Sequence, residues 1–144
     1  MRIYLDTSVL VKLYVEEPGS DAIRRAVQEA SLVATSAIAY VEARAAFVRR
    51  RHEGELAAGG YRRIVEAFDE DWERYVVVSI TDSLIRAGAR MAETHRLRAY
   101  DAVHLASAAS LHERLAEAWA FASWDEKLER AARREGLSPL PAAP

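Results

Sequence analysis

The chain has no cysteine. Disulfide bridges and thiolate metal sites are therefore excluded. It has no long hydrophobic run: a stretch such as Tyr75-Val76-Val77-Val78 is far too short to cross a bilayer. Met1-Arg2 leads directly into Ile3-Tyr4-Leu5-Asp6, with no apolar segment and cleavage site of the secretory kind. A cytoplasmic location is the expectation. There is no excess of positive charge, because the formal net charge is −2. That argues against a generic, strongly basic nucleic-acid binder. A nuclease stays open, since a metal on carboxylates supplies positive charge locally. Lysine is almost missing: of 20 basic residues only Lys12 and Lys127 are lysine. The arginine forks that remain suit phosphates, carboxylate partners and solvated helix faces.

What is present is a globular composition, with 51% hydrophobic and 29% charged residues over 144 positions. That length suits one domain with one real core. The expectation is a single nuclease-sized domain over residues 1–140 and a flexible tail over 141–144. Arg2 to Leu5 reads as a first strand, and Thr7-Ser8 opens a helical stretch through Val15. Pro18-Gly19 punctuates, and Ser20-Asp21 is expected to cap a second helix. Ser31 to Thr35 reads as a second strand, followed by a long helix from Ser36 to about His52. After Gly54 a further helix is expected over 55–73. Tyr75 to Ile80 is β-branched and reads as a third strand. Thr81-Asp82 caps a helix to about Thr94, and Ala99 to Arg114 forms another. On it Ala102, Val103, Ala106 and Ala109 make a face of small residues suited to lying close on a sheet. Ala118 to Ala122 is a fourth strand, Trp124 to Arg134 a last helix, and Leu137 to Leu140 a short edge strand. Short apolar strands alternating with helices predict a three-layer α/β/α fold with a central parallel sheet of four to five strands.

In such folds ligands bind outside the carboxyl ends of the strands. Asp6 ends the first strand, and Asp125 follows the fourth. Glu42 lies about two turns into the helix after the second strand, and Asp101 sits in the first turn of the alanine-rich helix. Each acid also has an ordinary explanation, as a helix cap, a dipole partner or a solvated residue. Asp6 and Glu42, however, stand among apolar neighbours, where acids are rarely buried unless paired or metal-bound. Mg²⁺ or Mn²⁺ prefers carboxylate oxygens and relieves their mutual repulsion. Thr7, Ser8 and Ser123 place hydroxyls beside Asp6 and Asp125, for water, for phosphate or for capping.

These segments resemble the PIN-domain family, most closely its VapC-type toxins. Ile3-Tyr4-Leu5-Asp6-Thr7-Ser8 looks like the first strand and its metal-binding Asp. Thr35-Ser36-Ala37-Ile38-Ala39-Tyr40-Val41-Glu42 looks like the segment carrying the Glu. The run from Leu97 to Ala108 is similar to the third acidic motif, and Ala120 to Leu128 to the last. There Ser123 stands where the family often has Thr, which keeps the hydroxyl. The resemblance implies an acidic pocket holding Mg²⁺ or Mn²⁺ through Asp6, Glu42, Asp101 and Asp125. Asp6 and Asp101 would be the direct ligands. Glu42 and Asp125 would act through water or position the nucleophile. It also implies in-line attack by activated water, leaving 5′-phosphate and 3′-hydroxyl ends on a structured RNA such as tRNA or ribosomal RNA. A homodimer and a cognate antitoxin lying across the groove belong to the same expectation.

Arg98, Lys12 and Arg96 are the cations nearest the acidic motifs in sequence and the expected RNA contacts. Arg44, Arg49, Arg50, Arg51, Arg62 and Arg63 form a second cluster, read as an RNA or antitoxin patch or as solvated surface. His104 reads as structural, and Trp72, Trp119 and Trp124 as packing, with Trp124 set apart because it adjoins Asp125. Two rival readings remain: a module that binds RNA or antitoxin without cutting, and a nuclease acting on DNA.

Overall fold

Strand β1 (Arg2–Leu5) pairs in parallel with β2 (Leu32–Ser36) on one side and β4 (Trp119–Ala122) on the other. Strands β3 (Val76–Val78) and β5 (Ser138–Pro139) form the edges, giving the order β3-β2-β1-β4-β5. This computed structural model describes residues 1–140, and the tail expected over 141–144 lies outside them. The chain runs outward from β1 to β3 and then returns to the far side of β1. The gap between the carboxyl ends of β1 and β4 is therefore the topological switch point, where open α/β sheets bind ligands.

Alternation along the strands sends side chains to two faces. Ile3 and Leu5, with Ala120 and Ala122, belong to one core cluster with Val9, Leu10, Ala39, Ala43, Phe47 and Phe68. These last six come from α1 (Thr7–Val11), α3 (Ile38–His52) and α4 (Ala58–Trp72). Helix α2 (Ser20–Glu29) adds Ile23. Tyr4, Trp119 and Phe121 face the other way, toward α6 (Ala99–Leu115) and α7 (Glu126–Arg134). Helix α5 (Asp82–His95) packs on α6. Helices on both faces bury this parallel sheet, which matches the expected three layers. No helix among the described residues is long and apolar enough to cross a membrane.

Several local expectations change. The cap of α2 is Gly19, not Ser20-Asp21. Ser20 is buried as the first helical residue, and its hydroxyl is used by Glu17 N and Val15 O. The small-residue face of α6 does not simply lie on the sheet. Leu105, Ala108 and Leu111 join the sheet-side cluster, while the Ala102 carbonyl lies where a Cβ on Gly88 of α5 would meet it at 3.7 Å. The third strand is shorter than 75–80, and helix α4 begins at Ala58 because residues 55–57 form a bend and an extended entry.

Candidate active site

The backbone N–H of Asp6 donates to the Ala122 carbonyl at 3.1 Å, which locks the ends of β1 and β4 together. Asp6 is buried and caps α1, its Oδ1 accepting from Val9 N at 3.0 Å. The hydroxyl of Ser8 donates to the same oxygen at 2.7 Å, and Ser123 donates to Oδ2 at 2.7 Å. The capping role and the site role thus fall on one side chain. Burial pushes the Asp6 carboxyl up from its ordinary range. The nearby His104 and the donors from Ser123, Ser8 and Val9 oppose that rise without cancelling it.

Glu42 reaches the same groove from α3. Its Oε1 accepts from Thr7 Oγ1 at 2.7 Å and contacts His104 Nε2 at 2.9 Å. His104 Nε2 also lies 2.9 Å from Thr7 Oγ1, and its Nδ1 lies 2.9 Å from the Tyr4 hydroxyl. The Tyr4 hydroxyl thus holds one ring nitrogen of His104, while Thr7 and Glu42 hold the other. Burial alone raises the Glu42 carboxyl, but the His104 and Thr7 hydrogen bonds outweigh it and hold the group below its usual value.

Asp101 and Asp125 stand at the rim. Arg98 Nε donates to Asp101 Oδ2 at 3.1 Å, and Arg98 Nη2 lies 3.8 Å from Asp125 Oδ2. Asp125 caps α7 through Oδ1, which accepts from Lys127 N at 2.9 Å and Leu128 N at 3.0 Å. Its own N–H donates to Ser123 Oγ at 3.1 Å, so Ser123 links Asp6 to Asp125. All four acids, with Thr7, Ser8, Lys12, Arg98 and His104, line one groove of about 480 Å³ at the switch point.

The donor set is all oxygen, which suits a hard divalent ion such as Mg²⁺ or Mn²⁺. Asp6 uses three of roughly four acceptor positions on its carboxylate, so it retains capacity for a metal. Among the described residues no three acidic or histidine side chains are already drawn to metal-holding distance. The guanidinium of Arg98 stands between the two rim carboxylates. The residues fit a divalent ion in chemistry, with the rim pair to be released from arginine.

A family model of the PIN domain matches residues 3–134. The chain belongs to the PIN-domain family. Two curated relatives from Mycobacterium tuberculosis show the same extent. This PIN domain is 31% identical over 138 residues to ribonuclease VapC46 of strain ATCC 25618 / H37Rv, covering 96% of the chain and 95% of that protein. It is 29% identical over 140 residues to ribonuclease VapC45 of strain CDC 1551 / Oshkosh, covering 97% and 95%.

The expected cations separate in this PIN domain. Arg98 lines the groove. Lys12 does too, but it is buried, and its ammonium donates to Glu17 Oε2 at 2.9 Å and the Pro18 carbonyl at 3.1 Å. Arg96 is absent from the lining. It ends α5 in the left-handed region, at φ 55°, with its carbonyl accepting from Lys127 Nζ at 2.6 Å. Of the middle arginines only Arg49 and Arg50 line the groove, while Arg44 pairs with Tyr40 and Asp69, and Arg51 lies over the Tyr61 ring. His104 is more than structural, since it fixes Glu42. Its signal was a histidine one turn from Asp101 on an otherwise apolar helix face, which must find buried polar partners.

Proposed function

We propose that this PIN domain is a divalent-metal-dependent endoribonuclease that cuts structured RNA, tRNA or ribosomal RNA. It acts as the toxin of a toxin–antitoxin pair, as a cytoplasmic homodimer restrained by a cognate antitoxin over the groove. The observation that carries the reading is the gathering of Asp6, Glu42, Asp101 and Asp125 at the β1/β4 switch point. The likeness to proteins named ribonucleases supports RNA as the substrate.

Asp6 and Asp101 would hold the ion directly, and Glu42 and Asp125 would do so through water. The bound ion supplies charge neutralisation and a more acidic water at the phosphodiester. Ser8, Ser123 and Val9 N aim the Asp6 carboxylate. Thr7 and His104 keep Glu42 ionised and oriented, so it can accept a proton from the attacking water. The water oxygen bonds to phosphorus, the bond from phosphorus to the 3′ oxygen breaks, and that oxygen takes up a proton from solvent as it leaves. The products carry a 5′-phosphate and a 3′-hydroxyl. Arg98 neutralises phosphate charge at the rim once it leaves the carboxylates.

The test is incubation of purified protein with total cellular RNA in Mg²⁺, Mn²⁺ or EDTA, beside Asp101→Asn and a DNA control. Discrete fragments that require metal and the intact acid are expected. Metal-independent or Asp101-independent fragments would count against the proposal, as would cleavage of DNA alone. Binding of RNA without cleavage in any metal would leave the non-cutting module in its place.

A further inference from the structure

The groove is not lined by the four acids alone. Lys12, Glu17, Arg49, Arg50 and Trp124 line it beside the four acids. Trp124 precedes Asp125 directly in the chain and is 53% exposed, unlike Trp119, which is buried in the core. An indole this exposed ordinarily has freedom to turn, but here it is fenced in. Lys12 Nζ sits 4.6 Å from the ring centroid. That ammonium is itself pinned by Glu17 and Pro18, and the second Glu17 oxygen pairs with Arg50. At another side of the ring is Gly19, with φ 91°. A Cβ on Gly19 would lie 2.4 Å from the Trp124 ring, so only glycine permits both the backbone turn and this close approach.

The Trp124 ring is thus half-exposed in the groove and packed between Lys12 and Gly19 before anything binds. A preset ring loses little conformational entropy on contact. Nucleobases of any identity stack on such a surface, and a cation–π partner strengthens its hold. Arg49 is exposed in the same groove and has no ion-pair partner among the described residues, so a neighbouring phosphate has a cation to meet.

We infer that Trp124 is a nucleobase-stacking platform: an unpaired base flanking the cleaved phosphate stacks on its indole, which Gly19 and the Lys12–Glu17–Arg50 ion pairs hold in place. The inference rests on the ribonuclease reading. Trp124 binds and selects substrate, and cleavage falls to the acids.

The test is equilibrium binding in EDTA, where nothing is cut, by fluorescence anisotropy. The probes are a random-sequence single-stranded RNA decamer and an abasic ribose-phosphate decamer of equal charge. The wild type is expected to prefer the base-bearing strand by roughly tenfold or more. Trp124→Ala should lose most of that preference while its salt dependence stays unchanged, since the phosphate contacts remain. Trp124→Phe should keep most of the preference, which separates stacking from a disturbed fold. An Ala variant that retains the wild-type preference, or weakens both strands equally, overturns the platform and leaves the ribonuclease reading standing. A wild type that binds neither strand overturns both.

Discussion

Asp6 and Glu42 form the floor of the groove and are held by hydrogen bonds from three hydroxyls, a backbone N–H and the His104 ring. Asp101 and Asp125 form the rim and share the guanidinium of Arg98, whose side chain is 82% exposed. The two halves carry the same chemical groups but are organised by different physics. Around Asp6 the hydrogen bonds and the nearby His104 set geometry but do not offset burial, so its carboxyl stays raised, whereas the His104 and Thr7 hydrogen bonds hold Glu42 low. An exposed ion pair supplies counter-charge with little geometric hold and little stability. The floor is thus preorganised and short of positive charge, while the rim already has it from arginine. A divalent ion bound here would answer the need of the floor and would displace the arginine of the rim.

The largest expected effect comes from the floor. Asp6→Asn keeps the size of the side chain but removes its charge, and RNA cleavage should fall by on the order of 10³-fold. Single-turnover cleavage with matched circular dichroism spectra checks this, and near-normal cleavage by a folded variant would break the division of roles. Next comes His104→Ala, which leaves the buried Tyr4 hydroxyl without its acceptor and frees Glu42. A stability loss of about 1–3 kcal/mol is expected from the unsatisfied group and the lost packing. Urea unfolding measures it, together with a fall in cleavage rate that substrate binding does not share. Ser123→Ala removes one donor to Asp6 and an acceptor for Asp125 N. It should cost about 1 kcal/mol, and Ser123→Thr should restore both stability and rate. The smallest effect on stability is expected at the rim. Arg98→Gln should change the urea midpoint negligibly, yet weaken RNA binding and tighten Mn²⁺ binding, because no guanidinium then competes for Asp101 and Asp125.

Much of this arrangement was legible before any coordinates. Strand–helix alternation located three of the four acids near strand ends or helix starts, which a parallel sheet brings to one edge, and put Glu42 about two turns into its helix. The partners of those acids were harder to read. Tyr4 with His104, Thr7 with Glu42, and Ser123 with Asp6 are each separated by 35 or more positions, and no local pattern encodes pairs of that kind. Chain proximity did not place Arg96 in the lining: it ends α5 in the left-handed region, while Arg98 two residues on lines the groove. It did place Lys12 in the groove, but the Lys12 ammonium is taken by Glu17 five residues later. Gly19 read only as punctuation, and its closeness to Trp124 depends on how α2 enters the fold.

The central claim is that four acids, two preset and two held by arginine, make one divalent-metal site. Calorimetric titration of Mn²⁺ into metal-free protein tests it most directly, with wild type, Asp6→Asn and Arg98→Gln side by side. One ion-binding event per chain that vanishes in Asp6→Asn and tightens in Arg98→Gln is the predicted result. Binding that is indifferent to Asp6, or no binding by the wild type, would contradict the account.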